Sequence, residues 1–212
     1  MIGFCLTLLS LGMAAGTALK ADQAAPARAP APLDAATRQL SAAPLLSGKF
    51  VQEKTIAGLR KPLVSRGDFL VARDQGVIWR TQKPFLAAVS VTPKGIWALR
   101  ETEGEIRRDP IHQGNLGVAM DMIQKVLAGD PASLKQAFAV LEKGEPGNWT
   151  IDLKPLDPVV ARVITGIRLT GAKHVDRVEY AETNGDKTRI DFSAVADNPG
   201  ALTAWRAIAF GE

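Results

Sequence analysis

The chain has 212 residues, 26 Lys and Arg against 22 Asp and Glu, and a formal net charge of +4. Its charges are interspersed and not blocked, so no nucleic-acid partner is implied. The one cysteine, Cys5, sits in an uncharged opening stretch, which leaves the rest of the chain without means to form a disulfide.

Residues Ile2 to Ala18 carry no charge and are rich in Leu, Ala and Gly, with Gly16 and Ala18 as small residues before a cut after Ala18. This resembles a secretory signal peptide, and its apolar core is short for a membrane anchor. No Lys or Arg precedes the core, so either the start is late or the signal is atypical, and a retained anchor is the alternative. A lipobox at Cys5 fits poorly, since Gly3 and Phe4 precede it. Removal of residues 1–18 leaves a domain with no thiol, which is compatible with a bacterial periplasm. Residues 19–32 are Ala- and Pro-rich and read as an extended tether. Residues 33–212, about 180 in number, suffice for one domain with a substantial core.

Asp34 as a cap before good helix formers predicts a short amphipathic helix to about Leu40, placed as a lid against the sheet. Strands are predicted at Gly48–Ile56, Ser65–Arg73, Val77–Thr81, Leu86–Thr92 and Gly95–Glu101, with a hairpin turn at Gln75-Gly76. The period then changes: Leu116, Ala119, Met120, Ile123 and Leu127 recur at helical spacing. Asp130-Pro131 and Asp157-Pro158 each place a cap before a proline, which predicts two further short helical pieces. Between and after them come strands at Phe138–Lys143, Trp149–Leu153, Gly166–Thr170, Arg177–Glu182 and Thr188–Phe192, then a short helix over Leu202–Ile208. Sequential hairpins make the sheet antiparallel, and about ten strands in one sheet must curl. The fold class is therefore mainly β with α, a strongly curved antiparallel sheet covered by short helices.

Phe50-x-Gln52, Gly67, Trp79 with Gln82-Lys83-Pro84, and Gly95-Ile96-Trp97 occur in that order. The order resembles the LolA-like family, over roughly Leu33 to Phe192. The resemblance implies an eleven-stranded half-open barrel lidded by helices, and a periplasmic carrier that shields acyl chains of lipoproteins. It implies as partners an acylated cargo, an inner-membrane release complex and an outer-membrane acceptor, for a chain acting as a monomer without cofactor. The family's lipid-responsive arginine corresponds to Arg73, which would hold the lid through backbone oxygens. Val77 stands where the carrier has an aromatic residue two positions before the tryptophan, so the acyl-chain site should differ in shape.

The candidate ligand-binding wall is Phe69, Val71, Val77, Trp79, Val89, Val91, Trp97, Leu99, Met120, Ile123 and Leu127, with Ile96 beside them and Arg73 as the polar member. Alternation does not tell which residue of each pair faces inward. Arg100, Arg107 and Arg108 are a candidate basic patch, and Trp149 a candidate core anchor. An enzyme is the weaker reading. His112 and His174 lack metal-pair spacing, no Gly-x-Ser-x-Gly turn is present, and Gly114-Asn115-Leu116-Gly117 lacks a phosphate-binding lysine. The alternative function is a non-catalytic envelope interaction protein whose interior is filled.

Overall fold

The computed structural model describes residues 44–72, 75–111, 131–145, 147–198 and 200–211. The leader, the tether, the Asp34 helix and the Leu116–Leu127 helix lie outside them, as do Arg73, His112, Met120, Ile123 and Leu127.

Eleven strands follow one another: β1 (Leu45–Thr55), β2 (Leu63–Ala72), β3 (Gly76–Lys83), β4 (Ala87–Thr92), β5 (Gly95–Thr102), β6 (Glu105–Pro110), β7 (Phe138–Glu145), β8 (Asn148–Pro155), β9 (Ile164–Gly171), β10 (Val175–Glu182) and β11 (Lys187–Ala196). They form one antiparallel sheet in the order β6-β5-β4-β3-β2-β1-β11-β10-β9-β8-β7. Every pairing joins strands consecutive in sequence except β1 with β11, which is the seam at the centre of the sheet. β6 and β7 are its two edges, so the sheet is not closed into a barrel.

Short hairpins explain most of this order, because turn residues recur between alternating runs. The strand beyond the ten expected is β6. Its sequence, Glu105-Ile106-Arg107-Arg108-Asp109-Pro110, has one apolar side chain inside the strand, and a charged, proline-ended strand suits an edge.

The helices are short. α1 (Pro131–Ala137) enters β7, and α2 (Pro158–Ala161) bridges β8 and β9. Asp157 caps α2 by accepting from the Val159 amide at 2.7 Å, with Pro158 in the first turn as the cap-and-proline signal predicts. The helix ends at Ala161, and Ile164 already opens β9. A 3-10 turn (Gly200–Trp205) and α3 (Arg206–Phe210) end the described chain, stopped by Gly211 at φ 71°.

Facing residues in neighbouring strands share a side of the sheet, so the register sorts every side chain. One face carries Phe50, Phe69, Val71, Val77, Trp79, Val89, Val91 and Ile96. The opposite face carries Leu70, Ile78, Ala88 and Leu99, and over β2 to β6 it is covered by Leu202, Trp205, Ala209 and Phe210 of the C-terminal turn and helix. Ser90 Oγ donates to the Ala209 carbonyl at 2.9 Å, which locks this cover in place. Under the same cover Arg80 pairs with Asp68 at 2.6 Å, and its guanidinium lies 5.4 Å from the Trp205 ring centroid.

Candidate functional site

The first face is apolar over the central strands, while at the β6 edge it carries Glu105, Arg107 and Asp109. From β11 it continues through Phe192 and Ile190 to Val178, Leu169, Ile151 and Leu153, and α1 adds Leu134 to the cluster over β7 to β9. Trp149 belongs to this cluster. It is buried and donates its indole N–H to the Ala172 carbonyl at 2.8 Å, which makes it a core anchor.

Four rings converge where the seam meets β2 and β3. Phe50 and Trp79 stack with centroids 3.8 Å apart, while Phe192 meets Phe69 and Trp79 edge-on at 5.2 and 6.2 Å. Phe50 and Trp79 belong to strands separated by β2, at a spacing of about 10 Å. They touch because Gly67, the β2 residue facing Phe50, has no side chain to stand between them. A Cβ at Gly67 would lie 1.8 Å from the Arg80 carbonyl oxygen, so β2 and β3 approach closely at this point. Gly48 serves the Phe69 ring in the same way, since a Cβ there would come within 2.7 Å of it.

Of the candidate wall, Phe69, Val71, Val77, Trp79, Val89 and Val91 come together on this face. Val71, Trp79, Val89 and Phe192 are its half-buried members, whereas Phe50, Phe69, Val77 and Val91 are buried. Trp97 and Leu99 lie on the opposite face. Leu99 packs in the cluster under the C-terminal helix, and Trp97 is covered by the Arg108 guanidinium at 3.7 Å. Phe50 and Phe192 were not among the expected wall residues. The usable signal was their strand alternation with Gln52 and Ile190, read together with a glycine on the neighbouring strand.

The three arginines do not form one patch. Arg108 is turned toward Trp97, Arg107 pairs with Glu105 at 3.4 Å, and Arg100 pairs with Asp109 at 3.4 Å. Burial lowers the Arg108 pKa from its usual value.

Behind β7 to β11 the second face is ionic. Arg189 bridges Glu53 at 2.9 Å and Asp191 at 3.2 Å, Arg177 meets Asp191 at 2.5 Å, and Arg168 meets Asp152 at 2.6 Å. An open groove of about 720 Å³ runs along these charges, bordered by Leu141 and Lys154. These charges pair largely with one another. Among the described residues no cluster of three His, Cys, Asp or Glu side chains could hold a metal ion. No described helix is long and apolar enough to cross a membrane.

At the end of the sheet beyond Thr55, Asp186 braces the β1–β2 turn. Its carboxylate accepts from the Ala57 amide at 3.0 Å and faces Lys54 at 3.4 Å, and Lys54 also meets Glu182 at 2.7 Å. The Ala57 hydrogen bond, followed by Lys54, holds the Asp186 pKa below the ordinary aspartate value. A carboxylate with a lowered folded pKa contributes stability above its unfolded value, about 3.9, and loses it as the pH falls toward the folded one. Amide exchange at Ala57 is therefore expected to accelerate below about pH 4, beyond its intrinsic trend. Asp186→Asn should show the faster exchange already at neutral pH, and an unchanged Ala57 would remove the brace.

An open antiparallel sheet of eleven strands, apolar on one face over its central strands, with a few short helices, is the LolA-like fold class. The chain belongs to that family: the family model described as outer membrane lipoprotein carrier protein LolA-like matches residues 24–209. The resemblance carried by Phe50, Gln52, Gly67, Trp79 and Gly95-Ile96-Trp97 therefore holds. The family includes lipoprotein-sorting carriers. No curated protein sequence matches the chain. Among solved structures, a LolA superfamily protein from Nitrosomonas europaea is similar at 11% identity and a TM-score of 0.44, covering 80% of this chain and 94% of that one. A DUF1329 family protein from Desulfovibrio piger matches at 13% identity and 0.44, covering 84% and 96%. The Pseudomonas aeruginosa MucA/MucB complex matches at 12% and 0.42, covering 77% of this chain and 55% of that one.

Proposed function

We propose that the chain is a periplasmic carrier that shields acyl chains of lipoproteins, or of a related lipid, between the inner and outer membranes. Family membership supports the carrier class. The observation that carries the reading is the asymmetry of the sheet, with one face apolar across all the central strands and the other ionic or sealed by the C-terminal helix. Shielding hydrocarbon requires apolar surface and no bond-making chemistry, and each methylene removed from water contributes about 0.8 kcal/mol.

In this reading the half-buried Val71, Trp79, Val89 and Phe192 are the surface an acyl chain meets first. Phe50, Phe69, Val77 and Val91 form the floor. Arg73, Met120, Ile123 and Leu127 complete the proposed site from outside the described residues. Residues 1–18 act as the export signal and residues 19–32 as the tether.

The 3.8 Å stack of Phe50 on Trp79 favours a second reading, an envelope interaction protein whose interior is filled by its own rings. One experiment separates the two. The protein is expressed with its own leader, purified without detergent and extracted with organic solvent, and acyl species are measured by mass spectrometry. The carrier reading expects bound acyl species at near-stoichiometric yield, reduced at least about tenfold in Trp79→Ser through loss of apolar contact area. An empty protein that also takes up no added acylated peptide would establish the filled interior. N-terminal sequencing of the exported protein tests cleavage after Ala18.

A further inference from the structure

Large apolar side chains stay in water at one end of the sheet. Leu59, Leu63 and Val64 are 53%, 56% and 39% exposed, and Phe85 and Leu86 are 80% and 62% exposed. The first three belong to the β1–β2 turn and the start of β2, the last two to the β3–β4 turn. Both turns leave the sheet at the same end, from neighbouring strands, because β2 and β3 are paired out to Arg66 and Lys83. Leu156 and Val159, exposed at 57% and 59%, sit in the β8–β9 connection at that end as well.

Within the β1–β2 and β3–β4 turns the charges have one sign, while the acids at the same end lie on other connections, Glu182 and Asp186 paired with Lys54 and Asp157 capping α2. Residues 55–67 and 75–100 contain no Asp or Glu, while Arg60, Lys61, Arg66 and Lys83 are all exposed. The nearby β5–β6 hairpin is mixed, with Glu101, Glu103 and Glu105 beside Arg100 and Arg107, and it lies outside the basic stretch. The β1–β2 turn is held in shape by the Asp186 acceptance from Ala57, so its apolar tip projects from a braced base.

We propose that these two turns form a docking rim for the surface of an anionic lipid bilayer. Phe and Leu tips of this kind enter the boundary between headgroups and acyl chains, while Lys and Arg reach back to lipid phosphates along their apolar stems. Five large exposed apolar side chains on two neighbouring turns are the kind of surface that marks an interaction site. Lys61 and Lys83 favour a lipid over a protein, because lysine is depleted from protein interfaces, and an anionic leaflet rewards each of the four basic residues about fivefold in affinity. The inference stands independently of the acyl-chain reading, since it concerns the outside of two hairpins and not the apolar face.

The test is co-sedimentation of the full chain with vesicles of phosphatidylglycerol and phosphatidylethanolamine, beside vesicles of phosphatidylcholine alone. Binding is expected to the anionic vesicles, to be weak on the neutral ones, and to fall at about 0.5 M salt, where surface charges are screened. The paired variants Phe85→Ser with Leu86→Ser, and Arg60→Glu with Lys83→Glu, should each reduce binding at least about tenfold. All four side chains are exposed, so thermal melts should match the parent. A Phe85→Trp variant adds a local readout, a blue-shifted emission that brominated lipids quench. Anionic vesicles that bind parent and rim variants equally overturn the proposal, as does an emission from the Phe85→Trp variant that the vesicles leave unshifted. Failure on every vesicle, with the rim variants instead losing a protein partner, overturns it too.

Discussion

Gly67→Ala is expected to destabilise the protein by about 3 kcal/mol or more, at the upper end of what overpacking costs. The added Cβ would sit 1.8 Å from the Arg80 carbonyl oxygen and 2.9 Å from the Thr81 Cα, both main-chain atoms. A side chain can turn away, but here β2 and β3 must separate at the irregularity between Arg66 and Gly67. For a domain of this size the loss corresponds to a melting temperature lower by roughly 6–12 °C. Gly166→Ala is the control, because its nearest contact is the Leu153 carbonyl oxygen at an ordinary 3.5 Å. Circular dichroism melts of the two variants measure the contrast, and a Gly67→Ala melt that matches Gly166→Ala would refute the close approach.

Asp68→Ala should cost a comparable amount, about 3–5 kcal/mol. The carboxylate is buried beneath the C-terminal cover, 2.6 Å from the Arg80 guanidinium, and Arg80 Nε has no hydrogen-bond partner among the described residues. Removing the acid leaves a cation with little water and a single ring, Trp205, as compensation. The double variant Asp68→Leu with Arg80→Met removes both charges and fills the space, so it should return to within about 1 kcal/mol of the parent. Urea denaturation of the parent, the single variant and the double variant reads these differences. A single variant as stable as the parent would mean that water reaches Arg80 and the second face is not sealed.

Ten strands were legible because alternating runs were separated by turn residues, and the hairpin at Gln75-Gly76 and the cap at Asp157 sit where those residues put them. β6 was not legible, because an edge strand gains from charge and proline and so lacks the apolar alternation that marks a strand. The apolar face was legible only in part. On β2 both Phe69 and Leu70 are apolar and buried, since the C-terminal helix covers one face while rings pack on the other. Alternation alone therefore grouped Trp97 and Leu99 with residues that point the opposite way. The ring cluster depends on Gly67 and Gly48, whose role emerges once the strands are paired.

The central seam has a consequence for how the molecule is made. β1 lies in the middle of the sheet, and its second neighbour is β11, so Phe50 waits for Phe192. During synthesis the hairpins of β1 to β6 can assemble as they emerge, yet the middle strand keeps one bare edge until β11 has been made. Such distant pairing slows folding and leaves a sticky intermediate. A nascent chain that cannot finish early is one that stays threadable, and a helper protein shielding that bare edge would be needed more here than in a fold whose first and last strands lie at the margins.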